Sequence, residues 1–132
     1  MFALRIGERS PDLDLLLARH DARQWAYLTA ENPFSEPLSA AANASRNEAL
    51  CSELKAVAQA VYRGQGVGAD DSWAPERSFL AVGVDLATAL ALARKYEQAA
   101  FVAGRVGEAA RLIDSTTGDG PPKDPPVPVG LD

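Results

Sequence analysis

Residues 78–103, SFLAVGVDLATALALARKYEQAAFVA, hold two apolar runs on either side of a segment with helical periodicity. The first run, residues 78–84, predicts a buried strand, and the last, residues 99–103, predicts a shorter one. Asp85 stands before the helical segment, where an aspartate accepts hydrogen bonds from the free N–H groups of a first helical turn. This stretch is therefore predicted to form a strand, a helix and a strand.

Upstream of this stretch, the chain repeats the same order of elements. Residues 25–30, WAYLTA, predict a strand that stops at a turn, and Ser39 is the predicted cap of a helix that extends to about residue 61. Apolar side chains recur along it at helical spacing, at Leu50, Leu54, Val57 and Val61. A second strand is predicted to end near Tyr62.

Three further elements are predicted outside this double pattern. Residues 2–6 predict a short strand, Ser10 and Pro11 predict the start of a helix, and residues 110–113 predict an edge strand. Without the N-terminal pair, the order is that of an α+β, ferredoxin-like (split βαβ) two-layer sandwich. A three-layer α/β/α arrangement is the alternative, because periodicity does not say which face of the sheet a helix covers.

The length of 132 residues is that of one domain, which we expect to occupy residues 1–114. Residues 115–132 contain five of the nine prolines and are predicted to be a disordered tail. Glycine-rich residues 64–71 predict a hairpin connection. They do not predict a phosphate-binding loop, because the Lys-Ser/Thr ending of such a loop is missing.

Composition argues against several classes of protein. The net charge of -5 and the scattering of the 13 basic residues argue against nucleic-acid binding. No apolar run approaches the roughly 18 residues that a membrane-spanning helix needs, and no secretory leader pattern is present. Cys51 is the single cysteine, which is compatible with a reducing compartment. We therefore expect a cytoplasmic protein with no membrane contact.

Metal and cofactor sites are not predicted. One histidine, His20, and one cysteine stand far apart in the sequence, and the acidic residues show no ligand spacing. The periodicity places Cys51 in the core, where a cysteine behaves as a small apolar residue. Neither pattern predicts a catalytic residue.

Two asparagines lie on the apolar face of the predicted second helix. Asn43 and Asn47 are one helical turn apart, and the same spacing continues through Leu50 to Leu54. Buried amides need hydrogen-bond partners, which either the backbone of residues 31–38 or a bound ligand would supply. The candidate ligand-binding residues are Thr29, Asn32, Ser39, Asn43, Asn47, Glu76 and Gln98.

Glu76 enters an apolar strand and has two interpretations. A partly buried carboxylate there would suit a general base, whereas pairing with Arg77 or Arg46, or exposure to water, would give it no chemical role. Trp73 nearby would either cover the end of the core or offer a stacking face to a ligand.

Four motifs occur in a fixed order. They read Thr29-Ala30-x-Asn32-Pro33, Ser39-x-x-x-Asn43-x-x-x-Asn47-x-x-Leu50, Glu76-x-Ser78-Phe79-Leu80-x-Val82-Gly83 and Gln98-x-Ala100. Over residues 25–102 the sequence thereby resembles the domain of unknown function 3293 family of bacterial proteins. The resemblance implies a small α/β domain with a shared polar cluster, and it implies no reaction, substrate or partner.

Three functional hypotheses follow. The favoured one is a non-catalytic binding or regulatory module that uses the Thr/Asn cluster for a small polar ligand or a partner loop. The second is a hydrolase or transferase with Glu76 as general base. The third is a protein-interaction domain that forms a homodimer through an open sheet edge.

Overall fold

Five strands and three helices form within residues 3–66 and 76–118, the part of the chain that the computed structural model describes. The helices are α1 (Pro11–Arg19), α2 (Ala40–Val57) and α3 (Leu86–Lys95), with a short 3₁₀ turn at Pro33–Ser35. The strands are β1 (Gln24–Leu28), β2 (Ala60–Gly66), β3 (Glu76–Val82), β4 (Ala100–Arg105) and β5 (Arg111–Asp114).

The strands form one antiparallel sheet in the order β2-β3-β1-β4-β5. At one end of the central pair, Leu28 of β1 lies opposite Phe79 of β3. Residues that follow β1 therefore lie beside the first residues of β3. The candidate site forms at this end of the sheet.

Side chains of β1 alternate between two core clusters on opposite faces of the sheet. Ala26 and Leu28 pack with buried side chains of α2 and α3, whereas Trp25 and Tyr27 pack with those of α1. The fold is thus α+β, as predicted, but helices lie on both faces of the sheet, as in the three-layer alternative. The strand order also departs from a simple split βαβ sheet, because β5 adds a fifth strand beyond β4.

Each helix begins at the predicted residue. The side chains of Ser10, Ser39 and Asp85 accept hydrogen bonds from the N–H groups of Leu13, Ala42 and Thr88 at 3.2, 3.1 and 2.7 Å. α2 is shorter than predicted: it ends at Val57, because Ala58 adopts an extended conformation (φ -101°, ψ 159°) and the chain then enters β2.

The strand predicted over residues 2–6 does not form in the described residues from 3 onward. Ile6 makes a single parallel bridge to Ala110, and Gly7, with φ of 86°, turns the chain directly afterwards. One bridge does not make a strand, so residues 3–10 contribute no strand to the sheet.

After β5, residues 115–118 form a turn against α3. Arg94 donates to the carbonyl groups of Ser115 and Thr116 at 2.6 and 3.0 Å, and Ser115 is buried. The remainder of the predicted tail (119–132), most of the glycine-rich stretch (67–71) and Trp73 lie outside the described residues. Within the described ranges, no helix is long and apolar enough to cross a membrane.

Candidate functional site

The predicted polar residues gather where β1 ends and β3 begins. Four of them are nearly inaccessible to solvent: Thr29, Asn43, Asn47 and Glu76. A hydrogen-bond network joins these four to Asn32 and Gln98, while Ser39 lies at the edge of the group as the cap of α2. We call this network the polar cluster, and residues 31–39 above it the loop.

Asn47 connects α2 to the ends of two strands. Its side-chain oxygen accepts from the backbone N–H of Ala30 at 2.9 Å. Its amide nitrogen donates to Glu31 Oε2 at 2.9 Å and to the carbonyl oxygen of Arg77 at 3.1 Å. All three contacts are internal to the protein, so Asn47 fixes the chain where it leaves β1.

Asn43, one turn earlier on α2, holds the loop itself. Its side-chain oxygen accepts from the backbone N–H of Asn32 at 2.9 Å, and its amide nitrogen donates to Asn32 Oδ1 at 2.9 Å. Asn32 Oδ1 also accepts from the backbone N–H of Leu38 at 3.0 Å. The two ends of the loop are therefore tied to each other and to α2.

Thr29 attaches the cluster to β3, and Gln98 attaches it to the connection between α3 and β4. Thr29 donates to the carbonyl oxygen of Arg77 at 2.7 Å and accepts from the N–H of Glu31 at 3.1 Å. Gln98, between α3 and β4, donates to the carbonyl oxygen of Glu31 at 2.9 Å and to that of Tyr96 at 3.1 Å. Gln98 thus reaches the cluster from the far side of the loop.

Glu76 is 7% exposed and lies at the start of β3. Its Oε2 accepts from the side-chain amide of Asn32 at 2.9 Å. Burial raises the pKa of the Glu76 carboxyl above its ordinary value of 4.5; the Asn32 hydrogen bond opposes this rise, and the nearby Glu31 carboxylate adds to it. Among the described residues, neither Arg46 nor Arg77 forms an ion pair with Glu76.

Two residues of the cluster were not in the predicted set. Glu31 accepts from the backbone N–H of Arg77 at 3.0 Å as well as from Asn47, so its carboxylate bridges α2 and β3. Arg46 donates to the carbonyl oxygens of Ala30 and Tyr96 at 2.6 and 2.5 Å. Arg46 stands three residues after Asn43, a spacing that brings two side chains to the same side of a helix, and this spacing is the sequence signal that would have identified it.

The loop contains two non-glycine residues in the left-handed region, Asn32 (φ 49°) and Phe34 (φ 49°). The left-handed conformation costs roughly 1–2 kcal/mol for an ordinary residue and less for asparagine. The N–H of Phe34 donates to the carbonyl oxygen of Glu97 at 2.7 Å, and Glu97 is itself left-handed, with φ of 59°. The surrounding hydrogen bonds therefore hold a backbone shape that Phe34 alone would avoid.

The donor set of the cluster does not match a metal site. Within residues 3–66 and 76–118, no three His, Cys, Asp or Glu side chains lie close enough to bind one ion together. The cluster has two carboxylates, and its other side chains, which are amides, a hydroxyl and the Arg46 guanidinium, are already bonded to protein groups. Such an arrangement fixes the backbone around the end of β1.

Comparison with known protein families gives a match over most of the described core. The family described as "Protein of unknown function (DUF3293)" matches residues 28–101, which include every residue of the polar cluster. No curated protein and no solved structure gave a significant match. Since the match spans more than half of the 132 residues, the chain belongs to the DUF3293 family of proteins of unknown function.

Proposed function

We propose that this protein is a small non-catalytic binding or regulatory module, and that the loop over the polar cluster is its binding surface. The observation that carries the proposal is the use of Asn43 and Asn47. Both side chains hold residues 30–38, through bonds to the backbone and to Asn32 and Glu31, and Asn47 also bonds to the carbonyl group of Arg77. A loop fixed in advance loses less conformational entropy on binding, so it binds more tightly for the same contacts.

We also propose that the fold contains a ferredoxin-like core and that the protein is located in the bacterial cytoplasm. The neighbouring order β2-β3-β1-β4, with α2 and α3 on one face, supports a ferredoxin-like core to which α1 and β5 are additions. A free, buried Cys51 supports a reducing location such as the bacterial cytoplasm.

Thermal unfolding in the presence of nucleotides, sugars, amino acids and organic acids tests the binding function. A ligand at 100 times its dissociation constant stabilises the folded state by roughly 2.7 kcal/mol. For a domain of this size, we expect a rise in Tm of several degrees. The rise should be lost in Asn43→Ala and kept in Ser45→Ala, an exposed position on the same helix. A ligand whose effect is the same in both variants would place its site elsewhere.

An enzyme is the second candidate, and the raised pKa of the buried Glu76 favours it. Such a carboxyl exchanges protons closer to neutral pH than an exposed one, as a general base or acid requires. The discriminating variant is Glu76→Gln. In a hydrolase or transferase it would abolish turnover of a ligand found in the panel and leave the ligand's stabilising effect in place. In a binding module no turnover would be found in either protein.

A homodimer is the third candidate, favoured by the outer edge of the sheet. Among the described residues, β2 pairs with β3 on one side only, and Tyr62 on β2 is 39% exposed. An unpaired edge strand offers its N–H and C=O groups to a second chain. Sedimentation equilibrium over a wide concentration range tests this candidate, since a monomer throughout would exclude it.

A further inference from the structure

We infer that Phe34 is the contact residue by which the loop docks on a protein partner that has an apolar pocket rimmed by basic side chains. The inference rests on the proposed binding function and names the partner class of that site. It starts from a residue whose identity the fold does not explain.

Phe34 gains little inside its own chain. Its side chain is 62% exposed, so its ring is mostly outside the core. Its backbone lies in the left-handed region (φ 49°, ψ 36°), where asparagine or glycine is the favoured residue. A residue in an unfavourable conformation that no contact within the protein compensates is expected at functional sites. Contact of the Phe34 ring with another molecule would provide the missing stabilisation.

Hydrogen bonds fix the backbone on both sides of Phe34. Before it, Asn32 is bonded to Asn43; after it, the Leu38 N–H is bonded to Asn32. The N–H of Phe34 itself is bonded to the carbonyl oxygen of Glu97. An aromatic ring presented on a fixed backbone is the usual form of an interface anchor, because few rotatable bonds are lost on binding. Leu38, at the other end of the loop, is a second exposed apolar residue, at 38%.

Charge around the loop decides between a different protein and a second copy. Glu36 and Glu97 are exposed on the loop and on the connection that holds it, and Glu31 is partly exposed. Arg46 offsets this charge only in part: its guanidinium donates to two backbone carbonyl groups and lies 3.6 Å from the Glu97 carboxylate, so one cation stands against three carboxylates. A second copy would bring like charges together at this surface, whereas a pocket with a basic rim would complement them.

Photo-crosslinking from position 34 of the full chain tests the inference. Phe34 is replaced by p-benzoylphenylalanine, cells of the source organism are irradiated, and the captured protein is identified and purified. It is then titrated with wild type, Phe34→Asn and Leu15→Ala, the last being an equally exposed leucine on α1. We expect Phe34→Asn to weaken the Kd roughly ten- to hundred-fold, the effect of removing one buried aromatic side chain. Leu15→Ala should leave the Kd unchanged. Added salt should raise the Kd of wild type, because it screens the attraction between the acidic loop and the basic rim of the pocket.

Several results would overturn the inference. The first is the absence of any crosslinked product, or a product with twice the mass of this chain. The second is an equal Kd for wild type and Phe34→Asn. A third is independent of any partner: if Phe34→Asn melts several degrees below wild type, Phe34 has a role inside the fold. If Asn43→Ala weakens binding and Phe34→Asn does not, the proposed binding function stands and only this inference fails.

Discussion

Asn43 and Asn32 are joined by two hydrogen bonds of 2.9 Å, one to the backbone and one to the side chain of Asn32. Asn43 is 8% exposed, so water does not readily replace its contacts. Because both bonds converge on one residue, they fix the direction in which the chain turns after β1. The left-handed conformation of Asn32 and the course of the loop follow from this pair.

Replacing Asn43 tests the energetic weight of the pair. Asn43→Ala leaves the N–H of Asn32 without its acceptor and is expected to lower the free energy of unfolding by about 1–3 kcal/mol. Urea denaturation measures this loss. Ser45→Ala, an exposed neighbour on α2, is the control and should change stability by less than about 0.5 kcal/mol. Equal stability of the two variants would mean that the pair does not hold the loop.

At position 47, we expect a negative charge to lower the stability of the protein more than the loss of the side-chain amide does. Asn47→Asp keeps an acceptor for the N–H of Ala30 and replaces the donor that faces Glu31 Oε2 with a second carboxylate oxygen. Repulsion between the two carboxylates should make Asn47→Asp less stable than Asn47→Ala at neutral pH. Acidification should narrow this difference in urea denaturation. A difference that does not change with pH would rule out the repulsion.

The buried carboxyl of Glu76 predicts a pH dependence of stability. Burial raises its pKa in the folded protein, so folding is favoured by protonation. The stability that the protonated Glu76 contributes is fully present below the pKa of Glu76 in the unfolded protein, ordinarily 4.5. It is lost as pH rises through the higher pKa of Glu76 in the folded protein. Glu76→Gln, which carries no charge, should therefore gain stability relative to wild type as pH rises from below 4.5 to neutral.

Urea titrations of wild type and Glu76→Gln across this interval measure the effect. Glu36→Gln is the matched control, because its side chain is exposed on the loop. A difference between wild type and Glu76→Gln that stays constant with pH would show that the pKa of Glu76 is the same in the folded and unfolded protein, and would contradict the prediction.

Arg46 is expected to act through its fork of donors. Its Nε and Nη2 reach two different carbonyl groups, of Ala30 and Tyr96, a geometry that a single ammonium group does not reproduce. Arg46→Lys should cost about 1–3 kcal/mol in free energy of unfolding, because one or both carbonyl groups lose a charged donor. Arg111→Lys on the edge strand β5, where the side chain is exposed, should cost little. A comparable loss of unfolding free energy in both variants would show that the two carbonyl contacts of Arg46 do not stabilise the protein.

The periodic features of the sequence predicted the frame of the site. The spacing of Asn43 and Asn47 with Leu50 and Leu54 placed both amides on the buried face of α2, and all four are buried. Ser39 was predicted as the cap and is the cap. These features depend on contacts within a few residues along the chain, which sequence patterns record directly.

The remaining features depend on contacts between distant segments. Arg46 bonds to the carbonyl of Tyr96, fifty positions away, and no local pattern marks such a partner. The left-handed backbone of Phe34 follows from its bond to Glu97, and phenylalanine gives no signal for that conformation. Ile6 meets Ala110 in one bridge only, because Gly7 turns the chain, and the alternation before it could not show where pairing stops.

Amide hydrogen exchange by NMR tests the preformed loop most directly. The N–H groups of Ala30, Asn32 and Leu38 donate to the side chains of Asn47, Asn43 and Asn32. We expect all three to exchange as slowly as strand amides in wild type, and those of Asn32 and Leu38 to exchange fast in Asn43→Ala while that of Ala30 stays slow. Exchange of the Asn32 and Leu38 N–H groups at unprotected rates in wild type would contradict the account, because the loop would not be held before a partner binds.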